Sequence, residues 1–193
     1  LIGFVAMLEK ADFDFVRRQN RYLVLASLRR EGPLARIELV RSTGLSTATI
    51  TSITADLIAE RLIVVASDGD EVATRSRPGR PMTKLSLNAT AAMALGIEIS
   101  VDLVRFALVG YDGNIIEVRQ SGIAVYGSDP HTFGRNLAAA AAKFLADRGF
   151  ASGRLARVAV SVQGIANASS GSIVWSPALA FTNVPICRPL EQQ

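Results

Sequence analysis

Apolar residues recur at helical spacing up to about residue 61 and at strand spacing beyond residue 88. After a polar lead-in at 11–14, residues 16–30 predict a helix with Val24, Leu25 and Leu28 on one side. Gly32-Pro33 ends it, since Gly suits a helix C-terminus and Pro cannot continue one. Residues 34–43 predict a second helix with Leu39 and Val40 inward, and Thr43-Gly44-Leu45 a tight turn. Residues 46–61 predict a third, in which Ile50, Ile53 and Leu57 share one buried stripe. Ser46 is placed to cap this helix by accepting hydrogen bonds from its first free N–H groups. Ala48, Thr51 and Ser52 then point away from the buried stripe, leaving a small, hydroxyl-rich face beside the cap.

Residues 62–66 are apolar and β-branched, a short strand, and 82–87 alternate as a second. Between them, 67–81 is polar, with Asp68-Gly69-Asp70 and Pro78-Gly79-Arg80-Pro81. Three helices followed by a two-stranded ribbon with a basic loop predict a winged helix-turn-helix over 1–87, the loop being the wing. An ordinary helical hairpin would share the turn; the ribbon and loop favour the DNA-binding reading.

From residue 88 the pattern becomes that of an α/β domain. Runs at 94–100, 103–111 and 115–121 predict strands, with Asp112-Gly113 a hairpin turn between the last two. An Ala-rich helix is expected at 130–148, stopped by Gly149. A strand at 157–162, a loop at Gln163-Gly164, a short strand at 173–175 and a helix at 185–191 follow. Apolar strands around Ile97, Phe106 and Val160 are expected to need a covering lobe or partner. A meander, a helix and a further strand predict the opening of a ribonuclease H-like, actin-like domain over 88–193.

Charge sharpens the first half. The net of +4 over 193 residues is modest but unevenly placed. Residues 17–41 carry seven arginines (Arg17, Arg18, Arg21, Arg29, Arg30, Arg36 and Arg41) against Glu31 and Glu38. Residues 75–84 carry Arg75, Arg77, Arg80 and Lys84 with no acid, whereas 85–193 is nearly balanced. Bases that bracket a helix pair are an electrostatic footprint for a phosphate backbone, although charge runs also simply face water.

The composition, 49% apolar and 20% charged, is that of a globular chain. Residues 1–8 are apolar but too short to span a bilayer and lack a basic leader, so neither a membrane span nor a signal peptide is expected. A single Cys187 rules out an internal disulfide and a multi-cysteine zinc site, and fits a cytoplasmic location. His131, the one histidine, has no partner ligands, so no metal is expected.

Taken in order, several short stretches resemble the ROK family of sugar-responsive bacterial repressors and sugar kinases. They are Asn20-Arg21, Gly44-Leu45-Ser46, Leu57-Ile58, Gly79-Arg80-Pro81 and Leu85-Ser86-Leu87-Asn88 in the first half. In the second they are 95–99, 108–113, 160–165, 171–174 and Ser176-Pro177. There are departures. The family's kinases carry a Gly-rich phosphate loop where this chain reads Glu98-Ile99-Ser100-Val101-Asp102. Without glycines the backbone cannot approach phosphates, and Asp102 repels them. Arg61 stands where a glycine is usual after the third helix, Ala35 where Ser or Thr usually opens the second, and Gln163-Gly164 where Pro-Gly is usual. The chain ends about where the family's second half, with its catalytic segment and zinc cluster, would begin, which reads as a fragment or a truncation.

The resemblance implies a non-enzymatic repressor without cofactor, acting as a dimer or higher oligomer on double-stranded operator DNA under a sugar effector. Base contacts are expected from Ser46, Thr47, Ala48, Thr51 and Ser52, and phosphate or minor-groove contacts from Arg41, Arg75, Arg77 and Arg80. The family's sugar pocket maps near Gly164, Ser176 and Pro177. The alternatives are a sugar kinase with an appended DNA-binding domain, and a DNA-binding remnant that no longer responds to sugar.

Overall fold

The computed structural model describes residues 2–66, 82–127, 129–147, 149 and 155–192, with side chains from residue 14 onward. The chain divides into two compact units, Leu1–Ala91 and Ala92–Gln193, a few residues beyond the boundary expected at 88.

Unit 1 contains α1 (Ile2–Glu31), β1 (Leu34–Ala35), α2 (Arg36–Thr43), α3 (Thr47–Ala59), β2 (Ile63–Val65) and β3 (Lys84–Leu87). Helix α1 stops where Gly32 N–H donates to the Leu28 carbonyl at 3.1 Å. It begins far earlier than the expected residue 16: the polar stretch 11–14 is helical. The second helix is also corrected. Leu34 and Ala35 form β1, paired with Leu85 and Lys84 of β3, so the expected two-stranded ribbon is a three-stranded sheet in the order β1-β3-β2. The extended backbone of Ala35 places α2's start at Arg36. Ala35 cannot cap with its side chain, yet its N–H donates to the Glu38 carboxylate at 2.7 Å, so half of a capping box survives.

Gly44 ends α2 in the left-handed region, φ 72°, its N–H donating to Val40 O at 3.0 Å. Ser46 caps α3 as expected, its Oγ accepting from Thr49 N–H at 3.1 Å. The expected stripe packs inward: Ile50, Ile53 and Leu57 are buried beside Val24, Leu28, Leu39, Ile63 and Leu85. The polar loop expected as the wing, 67–81, lies outside the described residues.

Unit 2 opens with β4 (Met93–Ile99), β5 (Leu103–Gly110) and β6 (Ile115–Gly122). A short 3₁₀ turn, Ile123–Tyr126, leads to α4 (Pro130–Ala146), then β7 (Leu155–Val162). The order β6-β5-β4-β7 is an antiparallel meander extended by β7, which runs parallel to β4 after crossing over through α4. Strands β8 (Ile165–Asn167), β9 (Ser172–Trp175) and β10 (Val184–Pro185) form a second sheet before α5 (Cys187–Glu191). Asp129 caps α4, its carboxylate accepting from the N–H groups of His131 and Thr132.

Strict alternation puts Leu95, Ile97, Ile99, Val104, Phe106 and Leu108 on one face of the larger sheet, where they meet Phe133, Leu137, Ala141 and Phe144 of α4. Phe106 and Phe144 stack with centroids 5.8 Å apart. Val160, expected to need a covering lobe with Ile97 and Phe106, is only half-buried against this core, but for those two the expectation is corrected. They are 1% and 2% exposed, because α4 of the same unit covers that face.

Candidate nucleic-acid interface

The short gap between α2 and α3 is fixed by side chains as well as by Gly44. Thr43 Oγ1 donates to Leu39 O at 2.6 Å and accepts from Leu45 N–H at 3.3 Å. This pins the start of α3 against the end of α2. Ser46, Thr47, Ala48, Thr51 and Ser52 are all exposed and gathered on one side of the first turns of α3.

Their hydroxyls are not equivalent. Ser46 Oγ is engaged by Thr49 N–H and lies 2.9 Å from Thr49 Oγ1. Thr51 Oγ1 donates to Thr47 O at 2.8 Å, so its proton is used within the helix and only its lone pairs face outward. Thr47 and Ser52 make no side-chain hydrogen bond among the described residues and keep both donor and acceptor capacity.

The arginine run is also divided. Arg17 donates to Asp56 at 2.7 Å, and Arg21 holds both carboxylate oxygens of Glu60 at 2.7 and 2.5 Å. The hydrogen bond from Arg21 is the main cause of a Glu60 pKa below its ordinary value. Arg30 pairs with Glu31, and Arg36 Nε donates to the buried Thr54 hydroxyl at 3.0 Å. Of the bases in 17–41, Arg18 and Arg41 are left with neither an ion pair nor a side-chain hydrogen bond among the described residues. Much of the sequence's positive excess thus anchors helices to one another. The acids at the far end of α3 are neutralised from α1, which leaves the capped end the less negative one. That clamp was missed from sequence, although matched i, i+4 spacings, Arg17/Arg21 and Asp56/Glu60, were there to be read. Arg75, Arg77 and Arg80 lie outside the described residues.

In unit 2 the residues expected at a sugar site meet through backbone. Gly164 sits at φ 145°, and a Cβ there would run into the Trp175 carbonyl and come within 2.9 Å of Ser176 Cα. Ser176 is buried, and its Oγ accepts from Ala178 N–H at 3.1 Å, holding its own turn. Pro177 is exposed. Where the kinases of the resembled family carry a phosphate loop, β4 turns tightly into β5. Ser100 N–H and Oγ both donate to Leu103 O at 3.0 Å. His131 is exposed in the first turn of α4, and no group of three His, Cys, Asp or Glu that could hold a metal occurs among the described residues. No helix there is long and apolar enough to cross a membrane.

Taken together this is an α/β chain: a helical unit that presents a capped, hydroxyl-bearing helix, joined to a strand-meander unit with one crossover. No family model matches it. It is 31% identical over 106 residues to a xylose repressor of Bacillus spizizenii, covering 55% of this chain and 26% of that protein. To a xylose repressor of Caldicellulosiruptor bescii it is 25% identical over 178 residues, 92% of this chain and 43% of the relative. The crystal structure of a ROK family transcriptional regulator, a homologue of the E. coli MLC protein, shares its fold with a TM-score of 0.60 and 21% identity, over 92% of this chain and 43% of that one. The resemblance to ROK-family repressors read from the sequence is borne out by these relatives. The chain spans less than half the length of each of them.

Proposed function

We propose that this chain is the operator-binding and first effector segment of a sugar-responsive transcriptional repressor. In this reading unit 1 is a winged helix-turn-helix and unit 2 the first lobe of a ribonuclease H-like, actin-like effector domain. Helix α3 enters the major groove by its capped end. The observation that carries the reading is that face: Thr47, Ala48, Thr51 and Ser52 exposed together, on a helix fixed by the Gly44 turn and relieved of its acidic charge by Arg17 and Arg21. No Arg, Asn or Gln stands there, so base readout rests on hydroxyls and on apolar contact with thymine methyls. Arg41 and the loop arginines Arg75, Arg77 and Arg80 supply phosphate contacts.

The relatives' names make xylose the first effector to test. A sugar would meet the loop around Gly164 through backbone and Pro177, since the Ser176 hydroxyl is held by its own turn. The tight turn at Ser100 supports a regulator rather than a kinase, because it offers phosphates no glycine-lined cradle. The assembly is a homodimer on a palindromic site, in the cytoplasm.

The test is selection from a random duplex pool, then titration of selected and scrambled duplexes at one salt concentration, with and without xylose. Enrichment of one motif, bound tighter than scrambled DNA, is expected. No enrichment would remove the DNA-binding reading, and an affinity indifferent to a panel of sugars would remove the effector reading alone.

A further inference from the structure

Arg36, the first residue of α2, is anchored differently from the arginines of α1. Arg17, Arg21 and Arg30 meet carboxylates. Arg36 instead spends Nε on a neutral group, the hydroxyl of Thr54, at 3.0 Å. Thr54 is 0% exposed, so water does not reach that oxygen, and its own proton goes to the Thr51 carbonyl at 3.2 Å. The carboxylate nearest in sequence, that of Glu38, takes the Ala35 N–H. Arg36 thus carries a full positive charge with no ion pair among the described residues, and the four N–H donors on its two terminal nitrogens have no partner there either. A half-buried guanidinium is costly to leave uncompensated. Satisfying Thr54 needs only a neutral donor; the charge is unspent on the protein, which marks it for an anion from outside.

The anchor's place says which anion. Around α3, Thr54 lies within about 20° of Thr47, seven residues away, and about 60° of Thr51, three residues away. It marks the seam between the buried stripe and the exposed, hydroxyl-bearing face. The guanidinium is therefore tethered from α2 at the border of that face. In a helix-turn-helix the first helix crosses the sugar–phosphate backbone while the second enters the groove. With Nε occupied, an arginine still offers Nη1 and Nη2, end-on, to two phosphate oxygens. We propose, on the DNA-binding reading above, that Arg36 is a phosphate-binding residue, held in place by Thr54, that fixes α2 to the backbone flanking the groove α3 enters.

Arg36→Gln and Thr54→Val, each in the full chain and each shown by thermal melt to be folded at the working temperature, are compared with the parent on selected and scrambled duplexes across a salt series. Arg36→Gln keeps a donor for Thr54 but no charge. It should weaken both duplexes by similar factors and lower the log–log salt slope by roughly 0.9, the share of one phosphate. Thr54→Val removes the anchor and not the charge, so it should weaken both duplexes at the parent's slope. Should Arg36→Gln melt too low, the double variant with Thr54→Val, which leaves no buried hydroxyl unsatisfied, takes its place with the same slope expected. A slope equal to the parent's without the Arg36 charge would overturn the proposal and leave Arg36 a strut between α2 and α3. A loss confined to the selected duplex would also overturn it, by making Arg36 a reader of bases. A parent that binds no duplex would remove the DNA-binding reading and the Arg36 contact with it, whereas a parent that binds and is matched by Arg36→Gln removes the Arg36 contact alone.

Discussion

Arg61 holds a left-handed backbone, φ 59°, just past the end of α3. Its N–H donates to Ile58 O and the N–H of Leu62 to Leu57 O, both at 2.9 Å, the paired bonds of a Schellman ending. The carbonyl of Arg61 is used as well, accepting from Asn88 Nδ2 at 2.7 Å. A side chain in this conformation costs roughly 1–2 kcal/mol, against about 0.5–1 kcal/mol of extra chain entropy that a glycine would lose on folding. Arg61→Gly should therefore stabilise unit 1 by a net of about 0.5–1 kcal/mol, read as a higher urea midpoint at unchanged slope. A lower midpoint would show that the Arg61 side chain makes a contribution larger than the strain it imposes.

At the scale of elements, α3 is held to α1 by a ladder of two ion pairs as well as by its buried stripe. The Arg21 fork keeps the Glu60 carboxyl below its ordinary value of 4.5. A carboxylate whose pKa is depressed on folding contributes stability above its unfolded value and loses it as pH falls through the folded one. The melting temperature should thus fall as acid takes the chain below about pH 4.5, and Arg21→Gln should remove the Glu60 part of that slope. Equal acid slopes for parent and Arg21→Gln would show that the fork is not what holds Glu60 ionised. Glu60 is exposed, so the effect is small and screened by salt.

The elements also show what the sequence could and could not tell. Ile50, Ile53 and Leu57 were legible because 3.6-residue periodicity survives wherever one face is buried. The strands β4 and β5 were legible because their alternation is strict. The N-terminal half of α1 was not. Seven and fourteen residues back from Val24 and Leu28 the sequence reads Arg17, Lys10, Arg21 and Asp14, so a search for one apolar stripe stops near residue 16. Strand β1 was missed because two residues carry no period; it exists through pairing with β3, which is remote in sequence. Among site residues, exposure of the α3 face was readable from spacing. The division between free and engaged hydroxyls, and between anchoring and free arginines, depends on tertiary partners that no local pattern encodes.

Across the whole molecule, the reading as a DNA-binding repressor rests on two kinds of interaction that can be separated. The arginines of the loop, Arg75, Arg77 and Arg80, would bind phosphate regardless of sequence. Replacing all three with Ala should weaken selected and scrambled duplexes alike. It should also flatten the log–log salt dependence by roughly 0.9 for each phosphate that is no longer neutralised. An unchanged slope would take that loop out of the interface. In the same proposal base readout would fall to α3, where Ser52 has an uncommitted hydroxyl. Because Ser52 is exposed, Ser52→Ala should leave stability within about 0.5 kcal/mol of the parent.

The most direct measurement is fluorescence anisotropy of parent and Ser52→Ala on selected and scrambled duplexes at one fixed salt concentration. The parent should bind the selected duplex at least about a thousandfold tighter than the scrambled one. Ser52→Ala should lose on the order of 1–3 kcal/mol on the selected duplex and nothing on the scrambled one. A parent that binds both duplexes equally, or a Ser52→Ala chain that keeps the full preference, would contradict the placement of the capped end of α3 in the groove.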